Sequence, residues 1–136
     1  MNIEFIFLGQ VLLAAVLGGL LGFQRERLGK PAGPRTYALV TAGSALFTIL
    51  SIYGFGPNDT ARVASNIVVG MGFLGAGLIF QRDGHIDNLT TAAGLWASAA
   101  VGMAVGTGHY ILAVGGAVIM LILFAINDSK FRKQEK

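Results

Sequence analysis

The chain has no cysteine, which excludes disulfides, thiol redox chemistry and cysteine-bound metals. Charge is also scarce: it makes up 12% of the 136 residues, against ~25% in soluble domains. With 54% hydrophobic residues, so few charges cannot cover a globular core, and the expected solvent is lipid. The chemistry-bearing patterns are missing too. No ionisable residue lies in the middle of a long apolar run, where it would flag a transport path. No His or carboxylate pair has metal-ligand spacing within such a run. There is no phosphate-binding P-loop and no nucleophile with its base. These gaps weigh against a proton- or cation-coupled pump and against an enzyme, and no cofactor is expected.

What the chain does have is apolar length. Residues 5–23, 36–53, 63–80, 89–105 and 110–126 are nearly free of strongly polar side chains. Each is near the ~17–25 residues that cross a ~30 Å hydrocarbon core. Backbone groups in lipid must bond internally, so the runs are expected to be helices. The alternating pattern of a membrane β-barrel is absent. The expected fold is all-α: one integral membrane domain over residues 1–127, a bundle of five transmembrane helices, followed by a short basic tail at 128–136.

Basic residues suggest a direction. The first run has no basic residue ahead of it and is followed by Arg25 and Arg27, which reads as an anchored helix rather than a signal peptide. With the N-terminus outside, nine basic residues (Arg25, Arg27, Lys30, Arg35, Arg82, Lys130, Arg132, Lys133 and Lys136) are cytoplasmic and Arg62 alone is external. This asymmetry places the C-terminus in the cytoplasm.

Residues 70–80 read GMGFLGAGLIF, in which Gly70, Gly72 and Gly75 spell G-x-G-x-x-G and Gly77 follows. A dinucleotide site needs a strand, a glycine turn and a helix in a βαβ unit, and no second strand follows here. Close helix packing is the expected role, because small residues let backbones approach in lipid. Ala14, Gly18 and Gly22 form a second stripe, and Gly94, Ser98, Gly102 and Gly106 a third. Three striped helices point to a compact bundle and a self-association surface, with a dimer expected. The alternative is a helix broken around a substrate at Gly70–Gly77, as in transporters.

Several polar residues are candidates. Asn66, four residues before Gly70, is expected to bond across helices, worth ~1 kcal/mol; otherwise it contacts a solute. Gln24, Arg25, Glu26, Arg27, Lys30 and Arg35 belong to the first cytoplasmic loop, where the cations set topology and attract anionic lipid heads. Arg35 and Thr36 sit at the membrane boundary after Gly33-Pro34, with Glu26 or Asp87 as a pairing partner for Arg35. Asp59 is a candidate cap for the third helix, with Arg62 as counter-ion or the pair as an ion entrance. Asp87 or Asn88 is expected to cap the fourth. Thr90 and Thr91 then fall in its first turn, where free amides can hold an anion or a partner's carboxylate. Trp96 is expected to pack near mid-span.

Three blocks together carry a resemblance: RERLGKPAGPRT at 25–36, GFLGAG at 72–77 and NLTTAAGLW at 88–96. In order and spacing they resemble the MgtC/SapB family of bacterial inner-membrane proteins. The resemblance implies a multi-pass cytoplasmic-membrane domain tied to growth at low magnesium, to survival inside host cells and, in some members, to restraint of the ATP synthase. It favours a non-enzymatic protein that modulates another membrane complex, with no nucleic-acid partner. The alternative is a small transporter or channel for magnesium or another solute at a subunit interface. The sequence departs from the family pattern at Gln24 (usually Glu), Pro34 (usually Leu), Asn66 (often Gln) and Asn88 (often Gly). It stops at Lys136, ahead of the soluble C-terminal domain that many members carry.

Overall fold

A computed structural model describes residues 2–126. The expected tail at 128–136 lies outside the described residues. The elements are α1 (Ile3–Arg27), α2 (Pro34–Tyr53), α3 (Arg62–Ala76), β1 (Phe80–Arg82), β2 (His85–Asp87), α4 (Leu89–Gly106) and α5 (Tyr110–Ala125). The five helices stand where the apolar runs lie. Helices α1, α2 and α4 are each long and apolar enough to cross a membrane, whereas α3 and α5 are shorter apolar helices. At ~1.5 Å per residue, the 15 residues of α3 cover only part of a bilayer core.

The ends follow local chemistry. Asn2 caps α1, its side-chain oxygen accepting from the Glu4 amide at 3.2 Å. Pro34 opens α2 in the first turn, where its missing N–H costs nothing. The expected third span at 63–80 is corrected, since α3 stops at Ala76 with Gly77 as its C-cap. The expected loop at 81–88 is corrected as well. It is an antiparallel hairpin pairing Phe80 with Asp87, Gln81 with Ile86 and Arg82 with His85. Asp83 and Gly84 form its turn with φ of 47° and 81°. Positive φ at both central residues matches the right-handed strand twist, and Asp-Gly is the sequence that accepts it.

Small residues decide how the helices meet. α4 lies parallel to α2. Gly94 of α4 meets Tyr37 of α2, Gly102 meets Thr41 and Ser44, and Gly106 meets Ala45 and Thr48. α1 runs antiparallel to α2, with Gly18 against Tyr37 and Thr41, and Gly22 against Gly33 and Pro34. A Cβ on Gly106 would lie 2.8 Å from the Ala45 carbonyl oxygen. Ala14 and Ser98 are fully buried in the same stripes. In lipid such approach gains dispersion contact that a larger side chain would prevent.

The glycine stripe of α3 behaves differently. Around Gly70 and Gly72 there is open space, so these glycines do not pack within the chain. Gly75 alone lies against α4, and a Cβ there would stand 3.5 Å from the Ala92 carbonyl oxygen, an ordinary van der Waals contact. Gly75→Ala is therefore expected to keep the wild-type thermal midpoint or raise it, since alanine is favoured over glycine in a helix by ~1 kcal/mol. A midpoint clearly below wild type would show that α3 sits closer to α4 than this.

Candidate functional site

The last turn of α1 carries the most unusual group in the bundle. Arg25 is only 2% exposed. Its Nη2 donates to Thr91 Oγ1 at 2.9 Å, in the first turn of α4. Its guanidinium carbon stands 4.6 Å from the centroid of the Phe124 ring on α5. The fully buried Tyr37 of α2 meets that same ring edge-on, with centroids 6.2 Å apart. Gly94 makes the cluster possible, because a Cβ there would lie 2.6 Å from the Tyr37 hydroxyl and 2.7 Å from Phe124 Cζ. Four helices thus converge on one guanidinium.

This placement corrects the reading of Gln24 and Arg25 as loop residues. α1 continues to Arg27, so the inward spacing of Gln10, Ala14, Leu17, Leu21 and Arg25 stays in helical phase. Gln24 is half-buried, and its Nε2 donates to the Leu121 carbonyl of α5 at 3.1 Å. An amide suits that position because an ionised carboxylate has no proton to donate. At the other end of α1, Gln10 Nε2 donates to the Val105 carbonyl at 3.1 Å and to the Tyr110 hydroxyl at 2.9 Å.

The guanidinium is incompletely satisfied. Arg25 Nε, the Tyr37 hydroxyl and Gln24 Oε1 are buried without a hydrogen-bond partner. Guanidinium stays protonated in proteins, and burying a charge costs several kcal/mol. A desolvated cation–π contact of ~2 kcal/mol and a charged hydrogen bond of ~1.5–3 kcal/mol offset part of that cost.

The other sequence candidates are dispersed. Glu26, Arg35 and Thr36 are exposed, and among the described residues Arg35 forms no ion pair with Glu26 or Asp87. The expected cap at Asp59 is corrected: the N-cap position of α3 is Ala61, without a side-chain cap. Asp59 and Arg62 are exposed. The start of α3 is instead tied down by buried Ser51 of α2, which accepts from the Ala64 amide at 3.2 Å and donates to the Thr60 carbonyl at 2.8 Å. Nothing in the local sequence of α3 signals Ser51, because the two are joined only by packing.

Asn66 does not bond across helices. It is exposed, and its amide donates to the Arg62 carbonyl of its own helix at 3.1 Å. With Gly43, Phe47, Gly70 and Leu74 it lines an apolar groove of about 420 Å³ between α2 and α3. Asp87 is exposed on β2. Asn88 holds the N-cap position of α4 but in the left-handed conformation, with φ of 65°. Its side-chain amide donates to the Leu78 carbonyl at 3.0 Å, closing the base of the hairpin instead of capping the helix. Thr90 is exposed and Thr91 buried. Trp96 is corrected from a packed to an outward-facing residue, 52% exposed, because the packed face of α4 runs through Thr91, Leu95, Ser98 and Gly102. Among the described residues, no three His, Asp or Glu side chains cluster to hold a metal.

The sequence profile of the MgtC family matches residues 11–132. The chain belongs to the MgtC family. YhiD of Escherichia coli K12, whose name marks it provisionally as a magnesium transporter, is 42% identical over 145 residues, covering 100% of this chain and 66% of YhiD. MgtC of Brucella abortus is 45% identical over 114 residues, covering 84% of this chain and 47% of the relative. MgtC of Salmonella typhimurium is 41% identical over 117 residues, covering 86% and 50%. The chain therefore spans about two thirds of YhiD and about half of each MgtC. No solved structure matches it. Family membership and the three long apolar helices make this MgtC-family chain a membrane protein.

Proposed function

We propose that this MgtC-family chain is a non-enzymatic protein of the bacterial inner membrane that adjusts another membrane complex when magnesium is scarce. Its N-terminus is outside and its basic end faces the cytoplasm. It needs no cofactor and works as a homo-oligomer, most simply a dimer. An ion-translocating assembly such as the ATP synthase is a partner of the right kind, and a role in survival inside a host would follow from that control.

The observation that carries this reading is the buried Arg25. Among the described residues, the charged side chain buried inside the bundle is a cation, held by a hydroxyl and an aromatic face. A dication passing within ~8 Å of it would meet roughly 4 kcal/mol of repulsion at an effective dielectric of ~20. A path for magnesium through the bundle at this level is disfavoured.

A second reading places conduction at a subunit interface. The α2–α3 groove with Asn66 and Gly70 supports it, as does the magnesium-transport name of YhiD. Magnesium flux into proteoliposomes holding the folded, inserted protein separates the two. The expected result is no saturable, protein-dependent flux. Saturable flux that Asn66→Ala abolishes without loss of folding would overturn the modulator reading and put the path in the groove.

A further inference from the structure

We infer that the first turn of α4 and the guanidinium of Arg25 together form a binding site for a phosphate group, carried by an anionic lipid or by free phosphate. The inference is independent of the modulator reading. The leading amides of a helix have no intrahelical acceptor and are normally capped. In α4 the residue at the cap position, Asn88, has turned its side chain to the Leu78 carbonyl. The first backbone bond at this end runs from the Ala92 amide to the Asn88 carbonyl. Among the described residues, the amides of Leu89, Thr90 and Thr91 are left without an acceptor. They meet the positive end of an 18-residue helix.

The second observation is Arg25. It is almost wholly buried, its Nε lacks a partner, and its Nη2 reaches this same first turn at Thr91. The fully buried Tyr37 hydroxyl makes no close hydrogen bond and has this same guanidinium as its charged neighbour. Amides and guanidinium therefore offer donors to one place, and no carboxylate among the described residues bonds to them. Within this turn Leu89 and Thr90 are exposed, whereas Thr91 and Arg25 are buried. Among the described residues Glu26, Asp83 and Asp87 are the acidic residues in the segments at this end, set against exposed Arg27, Lys30, Arg35 and Arg82. A tetrahedral oxyanion matches this donor set, because it can accept from successive amides and from a guanidinium at once.

The test is the thermal midpoint of the full chain in neutral detergent. One arm titrates inorganic phosphate against chloride and acetate at constant ionic strength. The other adds phosphatidylglycerol against diacylglycerol, which keeps the acyl chains and lacks the phosphate. A saturable rise with at least one phosphate source is expected. A rise with phosphatidylglycerol alone assigns the lipid headgroup, and a rise with inorganic phosphate as well assigns a free anion. Thr90→Asp should be at least as stable without ligand, because an acid in the first turn suits the helix dipole. Its carboxylate should occupy the site and weaken the response about tenfold or more. No rise beyond the controls would overturn the proposal. So would an equal response in Thr90→Asp, or an acetate response as large as that to phosphate, which would mark a carboxylate site. If Thr90→Asp does not fold, the wild-type arms decide alone.

Discussion

Gly102→Leu is expected to abolish the folded bundle, and Gly102→Ala to destabilise it by about 1–3 kcal/mol, the usual cost of overpacking. A Cβ on Gly102 would fall inside the contact distance of the Thr41 carbonyl oxygen. It would also lie 2.9 Å from Ser44 Cβ and 3.0 Å from the Thr41 carbonyl carbon. Two of these atoms are backbone, so no rotamer change relieves the clash and α4 must move away from α2. That movement would open the same seam at Gly94 and Gly106, and at Gly94 it would loosen Tyr37 and Phe124 around Arg25. The measurement is the yield of monodisperse protein after extraction, with the thermal midpoint. Gly70→Ala is the control, because its Cβ would meet open space. Wild-type stability in Gly102→Ala would contradict the parallel packing of α2 on α4.

The second large effect is expected at Thr91. Thr91→Val keeps the shape and removes the one side-chain acceptor that Arg25 has among the described residues. A buried charge that loses its partner is costly, and about 2–3 kcal/mol of destabilisation is expected. Thr91→Ser, which keeps the hydroxyl, should cost under about 1 kcal/mol. Arg25→Met removes the charge together with its desolvation cost, so most of the Thr91→Val penalty should disappear in that background. A double-mutant cycle on unfolding free energy measures this coupling, expected at about 1–3 kcal/mol. Additive single effects would mean that the hydrogen bond does not matter to the buried arginine.

These two experiments probe features of unequal legibility in the sequence. Five apolar runs, the absence of ionisable residues within them, and the stripes of small residues on α1 and α4 could all be read directly. Helix formation in lipid is forced by backbone bonding, so length and apolarity were enough to expect the helices. The Asp83-Gly84 turn is legible too, since its conformation depends on two adjacent residues, although polarity alone marks the segment only as a loop. Arg25 was half legible. Its spacing from Ala14, Leu17 and Leu21 points inward, but only if α1 is allowed to run one turn past the apolar segment.

Other features depended on partners far away in the chain. Ser51 anchors the start of α3, and Asn88 gives its amide to Leu78 rather than to its own helix. Gly102 is pressed on Thr41 while Gly70 faces open space, although both are glycines in apolar helices. A sequence determines which residues share a helical face, because helix period is local. It therefore determined a membrane bundle with smooth faces and a basic end. Which smooth face meets which neighbour, and that a guanidinium could be enclosed by Thr91, Phe124 and Tyr37, was decided by the tertiary structure. The contacts around the guanidinium join residues up to 99 positions apart, Arg25 and Phe124 being the farthest, and no local periodicity encodes them.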